Sequence, residues 1–413
     1  MFWDGAVWRE DDRLEHMTRT RAFLRELAGV LPEKMDGTAK KLRQADTVAK
    51  VVGLARSNEA QVATVEQWDA DPWLLGTPAG TVDLRTGELR DARTADYITK
   101  TTAVSPAPPG TPAPLWTATL DRVTEGNLDL QSYHQRFAGY ALTGIVREHV
   151  FRFDYGTGAN GKTTVIGALQ GALGEYAMAI PSDMLMVSTG DRHPTELAML
   201  RGVRLAVGSE TEQGKRWAEA RIKQLTGGDP IRARFMRQDF FEFAPHFKLI
   251  VTGNHRPSLR GVDEAMRRRL HLVPFTVTIP REERDPELPE KLREEWPAIL
   301  RWAIDGCIAW QREGLRPPST VQAATEEYLE AEDALALWIE ECAEEDPNAW
   351  EASGSLFASW KGWADRAGEF AGSQKRFSNI LQERGFTPKR GTAGIRGYLG
   401  LRLPPSEPTR WEP

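Results

Sequence analysis

One eight-residue stretch, at positions 156–163, constrains the fold of this 413-residue chain more than any other feature. Its sequence is Gly-Thr-Gly-Ala-Asn-Gly-Lys-Thr. It follows a segment of alternating apolar residues at 150–155 and precedes a helical pattern at 162–173. A strand, a glycine-rich turn and a helix in this order predict a phosphate-binding loop within an α/β fold. The glycines let backbone N–H groups turn toward phosphates, and the helix N-terminus adds partial positive charge.

The chemistry of a phosphate loop assigns roles to its side chains. We expect Lys162 to reach the terminal phosphates of a nucleoside triphosphate, and the Thr163 hydroxyl to complete the coordination of Mg²⁺. ATP and Mg²⁺ are therefore the expected cofactors. The predicted nucleotide-binding residues are Gly156, Thr157, Gly158, Ala159, Asn160, Gly161, Lys162, Thr163 and Thr164.

Two later strand patterns end in polar residues that ATP hydrolysis requires. The buried strand predicted at 203–208 is followed by Glu210 and Glu212, which would face the same way because strand side chains alternate. The strand predicted at 248–252 is followed by Asn254, an amide donor at a strand end. A carboxylate beside Mg²⁺ and a polar group that orients water are expected at this edge of the sheet. Which glutamate acts as the base is left open, and two surface glutamates are the alternative.

An arginine triplet, Arg267, Arg268 and Arg269, follows the third strand pattern. Such a triplet is often a solvated helix end. It could also supply an arginine that neutralises transition-state charge on the ATP of a neighbouring subunit.

The distribution of charge predicts a basic surface in an acidic chain. The net charge is −6, yet residues 201–275 contain fifteen Lys and Arg against eight Asp and Glu. This block suits a positively charged channel, with a salt-bridged solvated face as the alternative. No apolar run is long enough to cross a bilayer, and the N-terminus lacks a secretory pattern. We therefore expect a cytoplasmic protein, in a bacterial host.

Composition divides the chain into three predicted domains. Residues 1–110 suit a mixed α+β domain that ends in a proline-rich linker. Residues 115–316 alternate helices and strands, as expected for an α/β ATPase core. Residues 320–413 begin with an acidic helix, which we expect to be a solvated face or spacer, and end in two helices and a two-stranded wing.

The motifs together resemble the superfamily 3 helicases of the phage/plasmid primase-helicase family. The resemblance rests on the phosphate loop, the Ser-Glu-x-Glu strand end, the Gly-Gly-Asp-Pro turn at 227–230, Thr-Gly-Asn-His-Arg-Pro at 252–257 and the Arg-Arg-Leu sequence. Segments at 71–75, 80–84 and 139–144 resemble the helicase-associated N-terminal domain of that family. The similarity covers roughly residues 8–275.

This resemblance implies an AAA+ P-loop NTPase core that assembles as a hexameric ring around DNA. Lys162 and Thr163 would then form Walker A, with Glu210 as the Walker B acid and a metal ligand. Asn254 would be the sensor, and Arg268 or Arg269 the arginine finger. Many family members have adjacent acids at the Walker B strand end, whereas Thr211 separates the two acids here. Neither a paired-aspartate strand nor zinc-ligand spacing occurs, so any primer synthesis is expected from a separate primase.

Two basic segments are candidate DNA contacts. Superfamily 3 rings hold DNA with a hairpin before the sensor strand, and residues 231–248 match its position. Its candidates are Arg234, Arg237 and Lys248, with an ordinary hairpin as the alternative. Residues 350–403 carry nine basic and four acidic residues, which suits a winged helix on DNA or a small structural cap. The candidates there are Lys375, Arg376, Lys389 and Arg390.

Three functional classes are compatible with a phosphate loop. The leading interpretation is an ATP-driven DNA helicase that acts in replication of a phage, plasmid or integrated element. A P-loop kinase is disfavoured, because no substrate-phosphate lid separates the second and third strands. An origin-binding or loading ATPase that does not unwind DNA remains the alternative.

Overall fold

The computed structural model describes residues 1–58, 62–187, 195–209, 215–259, 262–391 and 394–404. Its strands are β1 (Phe2–Trp3), β2 (Trp8–Arg9), β3 (Leu74–Thr77), β4 (Gly80–Asp83), β5 (Glu88–Arg90), β6 (Phe151–Tyr155), β7 (Ala177–Pro181), β8 (Leu205–Ser209), β9 (Ile231–Ala233), β10 (Phe241–Phe243), β11 (Lys248–Gly253), β12 (Leu270–Pro274), β13 (Glu344–Ala352), β14 (Thr387–Arg390) and β15 (Arg396–Arg402). Its α-helices are α1 (Glu15–Val30), α2 (Asp36–Leu42), α3 (Ala45–Ala55), α4 (Pro114–Thr124), α5 (Leu128–Leu142), α6 (Lys162–Leu173), α7 (Thr195–Ala198), α8 (Glu219–Thr226), α9 (Glu264–Arg269), α10 (Leu288–Glu294), α11 (Trp296–Glu313), α12 (Ser319–Cys342), α13 (Ser353–Ala367) and α14 (Gln374–Glu383).

A parallel five-stranded sheet, in the order β12-β6-β11-β8-β7, positions the candidate site. Strand β11 lies between β6, which precedes the phosphate loop, and β8. The carboxyl ends of β6, β8 and β11 therefore meet at one edge, as the sequence predicts. The α/β class is confirmed, and β7 is a strand that the sequence analysis does not predict.

Apolar side chains on both faces bury this sheet, as expected for parallel strands. One cluster joins the sheet to α5, α6 and α11, and includes Phe137, Leu169 and Ile304. A second cluster covers the opposite face and includes Phe153 and Trp217. Charged residues that lie within these strands are consequently buried and need partners inside the protein.

Two glycines let α5 and α11 pack closely. A Cβ added to Gly139 would lie 2.0 Å from the backbone nitrogen of Cys307, and one added to Gly306 would lie 2.0 Å from the carbonyl oxygen of Gln135. Both contacts are with backbone atoms, so side-chain movement could not relieve them. The close crossing is thus specified by residue size, and it holds α11 against the phosphate-loop side of the sheet.

The small sheet β3-β4-β5 shares a core with the ATPase region. Leu75, Val82 and Leu84 belong to the same buried cluster as the side chains of α5 and α11. The backbone N–H of Ala107, in the proline-rich segment, donates to the carbonyl of Pro297 at 2.9 Å. The segment predicted to be a linker therefore packs on the ATPase region and does not separate two cores.

Helix α12 connects the central sheet to a C-terminal unit. Near its start, Thr325 accepts a hydrogen bond from the backbone N–H of Leu272 in β12 at 2.9 Å. Its later residues, among them Leu335 and Trp338, belong to the C-terminal core. Glu332 is buried and pairs with Arg384 at 3.0 Å. The helix is therefore not a spacer, because one side of it packs along its length. Most of its acidic residues are exposed on the other side, as expected for a solvated face.

The C-terminal unit consists of α13, α14 and the antiparallel sheet β13-β15-β14. The two helices and the hairpin of β14 and β15 follow the predicted pattern. Strand β13 was not predicted, since its acidic sequence lacks alternating apolar residues. Within the described ranges, no helix combines the length and apolar character needed to cross a membrane.

Candidate nucleotide site and basic surfaces

The phosphate loop connects the end of β6 to the start of α6. Gly158 and Gly161 adopt positive φ angles of 101° and 80°. A Cβ at Gly161 would lie 2.5 Å from the side chain of Val123, whereas a Cβ at Gly158 would meet nothing within 4 Å. The loop is thus closed on its protein side at Gly161 and open at Gly158. This open space beside the N-terminus of α6 is where an anion would fit.

Lys162 lies at the centre of this site. Its side chain is buried, and Nζ donates to the carbonyl of Gly156 at 2.6 Å and to Oδ1 of Asn254 at 3.2 Å. Burial lowers the pKa of Lys162, and the nearby Asp154 carboxylate raises it. No carboxylate forms an ion pair with Nζ among the described residues. The ammonium group is therefore placed to exchange two neutral partners for a charged phosphate.

Asn160 and Asn254 hold the loop against the strand ends. Nδ2 of Asn160 donates to the carbonyl of Phe275 at 3.2 Å, after β12, while Asn254 follows β11. The structure therefore brings together Lys162 and the predicted sensor amide. Glu210 and Glu212 lie outside the described residues, so the predicted Walker B acid and base stay predictions.

Beneath the loop lies a buried ion pair that the sequence analysis does not single out. Arg152 and Asp154 alternate with apolar residues in β6, and Nη2 of Arg152 lies 2.8 Å from Oδ2 of Asp154. Burial raises the pKa of Asp154, while Arg152 lowers it. The sequence signal for this ion pair was the presence of two opposite charges in a strand whose other residues are aromatic. The pair places a carboxylate below Lys162 without a direct contact.

The site fits a nucleoside triphosphate with Mg²⁺. The open space at Gly158, the helix N-terminus and Lys162 suit the phosphates, and Thr163 is exposed at the first turn of α6. Its hydroxyl is the predicted Mg²⁺ ligand among the described residues, whereas the second predicted ligand, Glu210, lies outside them. No cluster of three or more metal-binding side chains occurs within the described ranges.

The arginine triplet is divided by its contacts. Arg267 pairs with Glu326 of α12 at 2.8 Å. Arg269 donates to Oγ1 of Thr226 at 3.2 Å and to the carbonyl of Ala265. Arg268 is exposed, and its guanidinium approaches only its own helix, at the carbonyl of Glu264. Of the three, Arg268 is the one that could reach another subunit without breaking a contact between elements.

The hairpin of β9 and β10 presents cations and aromatic rings. The guanidinium groups of Arg232 and Arg234 lie 4.6 and 4.8 Å from the ring centre of Phe240. Arg237 lies at the exposed turn with a φ of 61°. The predicted contact Arg234 therefore shares the ring of Phe240 with Arg232, and the predicted contact Arg237 is exposed at the turn of the same hairpin.

Lys248 does not lie on this hairpin, and its prediction as a DNA contact is wrong. The residue is 2 % exposed, and Nζ donates to the carbonyls of Thr143, Ile145 and His246. Its ammonium group also lies 4.8 Å from the ring centre of Tyr140. Because Lys248 begins a strand buried on both faces, its side chain cannot reach the hairpin surface.

The C-terminal candidates also divide. Lys375, Lys389 and Arg390 are exposed around one groove. Arg376 instead pairs with Glu327 of α12 at 3.3 Å and lies over the ring of Phe370. The grouping of Arg376 with the other three as DNA contacts is therefore corrected, because it occupies a different face of α14.

Two protein-family models match this chain. One, described as "D5 N terminal like", matches residues 1–125. The other, described as "Family of unknown function (DUF5906)", matches residues 155–269, which run from the end of β6 to the arginine triplet. The two matches thus cover the N-terminal region and the candidate nucleotide site.

Viral proteins are among the relatives of this sequence. "Putative helicase 022R" of Frog virus 3 is 28 % identical over 251 residues, covering 55 % of this chain and 26 % of that protein. "Putative helicase 184R" of Invertebrate iridescent virus 6 is 31 % identical over 159 residues, covering 36 % and 16 %. The chain therefore spans about a quarter or less of the length of these curated relatives.

A solved structure shares the fold. The apo structure of the NrS-1 C terminal region aligns with a TM-score of 0.50 and 11 % identity, covering 86 % of this chain and 89 % of that one. The chain is thus similar to proteins of the phage-type primase-helicase family. The family resemblance expected from the motifs is thereby confirmed. The phosphate loop and Asn254 meet at the carboxyl edge of the central sheet, whereas the arginine triplet immediately precedes β12 and lies at its amino end.

Proposed function

We propose that this chain is a member of the primase-helicase family and an ATP-dependent DNA helicase of superfamily 3 that acts in replication of a phage, plasmid or integrated mobile element. The supporting observation is the position of Lys162, whose Nζ contacts both the phosphate loop at Gly156 and the strand-end amide of Asn254. If the ammonium group of Lys162 exchanged these contacts for the γ-phosphate of ATP, release of that phosphate would be linked to movement of Asn254 and β11.

The catalytic contribution of the chain is mainly electrostatic. Bound Mg²⁺ would neutralise charge on the β- and γ-phosphates. The backbone N–H groups of the loop and Lys162 would hold the phosphates in line for attack by water, and Asn254 would orient that water or the γ-phosphate. Glu210 and Glu212 are the proposed acidic residues, one of which accepts the proton of the attacking water.

We propose an AAA+ core that forms a hexameric ring. The insertion of β11 between β6 and β8 supports the AAA+ core, because Asn254, the proposed sensor, follows a strand that lies between the phosphate-loop strand and β8, the proposed Walker B strand. Arg268 is the proposed arginine finger, since Arg267 and Arg269 are occupied within the chain. A site completed by a neighbouring Arg268 would hydrolyse ATP only in the assembled ring.

The hairpin of β9 and β10 is the proposed contact with single-stranded DNA. Arg232, Arg234 and Arg237 would approach the phosphates, and the exposed Phe240 offers a ring on which a base could stack. Such contacts are independent of sequence, which suits translocation. Contact with DNA at this hairpin should therefore weaken steeply as salt is raised.

The C-terminal unit is proposed to be a winged helix. Its chain order is α12, β13, α13, α14, β14 and β15, and its sheet places β15 between the other two strands. In this arrangement α14 is the recognition helix and the turn between β14 and β15 is the wing. The exposed Lys375, Lys389 and Arg390 on one side support a role in DNA binding.

Strand displacement tests the proposed function. Wild-type protein with ATP and Mg²⁺ should release a labelled strand from a forked duplex, and Lys162→Ala protein should not. DNA-stimulated hydrolysis without displacement on any fork would contradict the helicase and favour an ATPase that binds or loads at an origin. Absence of hydrolysis in wild-type protein with DNA would contradict both.

A further inference from the structure

A polar groove crosses the C-terminal unit on the side away from α12. This wing groove, of about 740 Å³, lies between α14, the β14–β15 hairpin and the first residues of α13. Its chemistry differs from that of a small-molecule pocket, because side chains from α14 and the hairpin project into an open trough. The trough has the form of a surface that a long ligand would cross.

One face of α14 supplies hydrogen-bonding side chains at helical spacing. Lys375, Ser378, Asn379 and Gln382 line the groove, at positions one and two turns apart. The opposite face carries the buried Phe377 and Leu381, which anchor the helix to the C-terminal core. The helix therefore presents an uninterrupted row of amide, hydroxyl and ammonium groups from a rigid base.

The charge of the groove is entirely positive. Lys375, Lys389, Arg390 and Arg396 line it, and none of its described lining residues is acidic. By contrast, α12 carries Glu327 and Glu330 on another side of the same unit. A chain of net charge −6 has thus separated a cationic trough from its acidic surface. Such a trough complements a polyanion.

Internal contacts fix the groove before any ligand binds. Nε2 of Gln382 donates to the hydroxyl of Tyr398 at 3.3 Å and to the carbonyl of Ser378 at 3.1 Å. Nε1 of Trp350 donates to the carbonyl of Lys389 at 3.1 Å, which fixes the hairpin beside the helix. The amide of Gln382 is therefore oriented, and its neighbour Asn379 stays exposed to a ligand.

We infer that the wing groove reads base edges of duplex DNA, so that the helicase itself recognises a specific sequence. This inference rests on the proposed function and names a second DNA site for it. An α-helix fits the major groove, where Asn and Gln pair with adenine and Lys pairs with guanine. Asn379 and Lys375 carry the readout and Gln382 contributes only its Oε1 as an acceptor, while Lys389, Arg390 and Arg396 contact phosphates.

The test is selection from a pool of random 20-base-pair duplexes by the full chain without ATP. Binding of the enriched duplex and of its shuffled version is then measured by fluorescence anisotropy at several salt concentrations. The variants are Asn379→Ala, Gln382→Ala, the double variant Lys389→Ala/Arg390→Ala, and Arg376→Ala. The last is the matched control, because Arg376 lies on α14 but outside the groove.

We expect one sequence to be enriched and to bind on the order of a hundredfold tighter than its shuffled version. Asn379→Ala should reduce that preference about tenfold and relax it at one base pair. The double variant should weaken binding to both duplexes equally. It should also reduce the slope of log affinity against log salt concentration by about two, since two phosphate contacts are lost. Arg376→Ala should behave as wild type.

Three results would overturn the inference: no enriched sequence, a preference that Asn379→Ala and Gln382→Ala both retain in full, or tighter binding to single strands than to any duplex. Failure of the proposed function is distinguishable. On a fork without the enriched sequence, Asn379→Ala should displace the strand as wild type does. Sequence preference without displacement by any protein would contradict the helicase and leave the groove inference standing.

Discussion

The two edges of the central sheet each bury a lysine, and the two lysines have opposite surroundings. At the carboxyl edge, Lys162 is 5 % exposed and contacts one carbonyl and one amide oxygen. At the amino edge, Lys248 is 2 % exposed and donates to three carbonyls beneath the ring of Tyr140. Burial lowers the pKa of both groups, and for Lys248 the shift takes it well below its ordinary value.

The two ammonium groups differ in whether the protein occupies all of their hydrogen bonds. Lys248 has an acceptor for each of its three protons, and nearby Arg204 donates to the carbonyls of Leu142 and Leu74. These cations join β8 and β11 to α5 and β3, so the amino edge is closed. Lys162 faces an open loop at Gly158. A buried lysine is therefore structural when the protein supplies an acceptor for each proton of its ammonium group. It can bind a ligand when it also faces open space.

The largest expected effect is on catalysis at the carboxyl edge. Lys162→Ala removes the cation that faces the phosphate loop, so ATP hydrolysis should fall on the order of a thousandfold. The melting temperature of this variant should change less than that of Lys248→Met, since two acceptors lose their donor instead of three. Lys248→Met is the matched control and should keep its hydrolysis rate per folded molecule. Equal loss of hydrolysis in both variants would break the distinction between the edges.

A second effect of the same kind is expected at the arginine triplet. Arg268→Ala should reduce DNA-stimulated hydrolysis about a hundredfold while leaving the stability of the isolated chain unchanged. Arg267→Ala and Arg269→Ala should act first on stability, because those side chains contact α12 and α8. Urea denaturation and hydrolysis rates separate the two outcomes. A selective catalytic loss in Arg269→Ala would transfer the role to that residue.

At the amino edge the expected effect is on stability. Lys248→Met leaves the carbonyls of Thr143, Ile145 and His246 without their donor, which should reduce the free energy of unfolding by about 2 kcal/mol. Urea denaturation measures this change. Affinity for single-stranded DNA should stay at the wild-type value. Weaker DNA binding at unchanged stability would restore Lys248 as a DNA contact.

The smallest effect is a pH dependence of the amino edge. Burial lowers the pKa of His271 to about 4, with a further contribution from Arg152. The unfolded chain, whose histidine has the ordinary pKa, binds a proton between pH 6.5 and 4 that the folded chain does not. The contribution of His271 to stability is therefore fully present above pH 6.5 and is lost as the pH falls toward 4.

His271→Gln isolates this contribution and keeps an acceptor for the hydroxyl of Tyr133, which lies 2.9 Å from Nδ1. Between pH 7 and pH 5.5, wild-type protein should lose about 1 kcal/mol more unfolding free energy than the variant. Urea denaturation at the two pH values gives the comparison. Parallel losses in both proteins would show that His271 is protonated in the folded state.

Sequence alone predicted much of the carboxyl edge. The phosphate loop, α6 and the strand ending before Asn254 carry local signals, because glycine, apolar alternation and strand-end polarity act over a few residues. The hairpin of β9 and β10 and the two C-terminal helices were also predicted. The site residues among these stay predictions of function, although the structure brings Lys162 and Asn254 together.

Nonlocal contacts account for what the sequence could not give. Lys248 has the same local pattern as an exposed hairpin lysine, and only the pairing of β11 with β6 and β8 buries it. The acidic run in α12 gave no local sign of a packed side, on which the buried Glu332 forms an ion pair with Arg384. Arg376 and Lys375 are adjacent in sequence, but the position of α12 decides which of them remains free for DNA.

The most direct test of the central claim mixes subunits. Displacement of a labelled strand from a forked duplex is measured with wild-type protein and Arg268→Ala protein in known ratios, at constant total concentration. If the carboxyl edge is an ATP site that a neighbouring subunit completes, the rate should fall much more steeply than the fraction of wild-type protein. A rate proportional to that fraction would contradict a shared site and place the whole catalytic machinery within one chain.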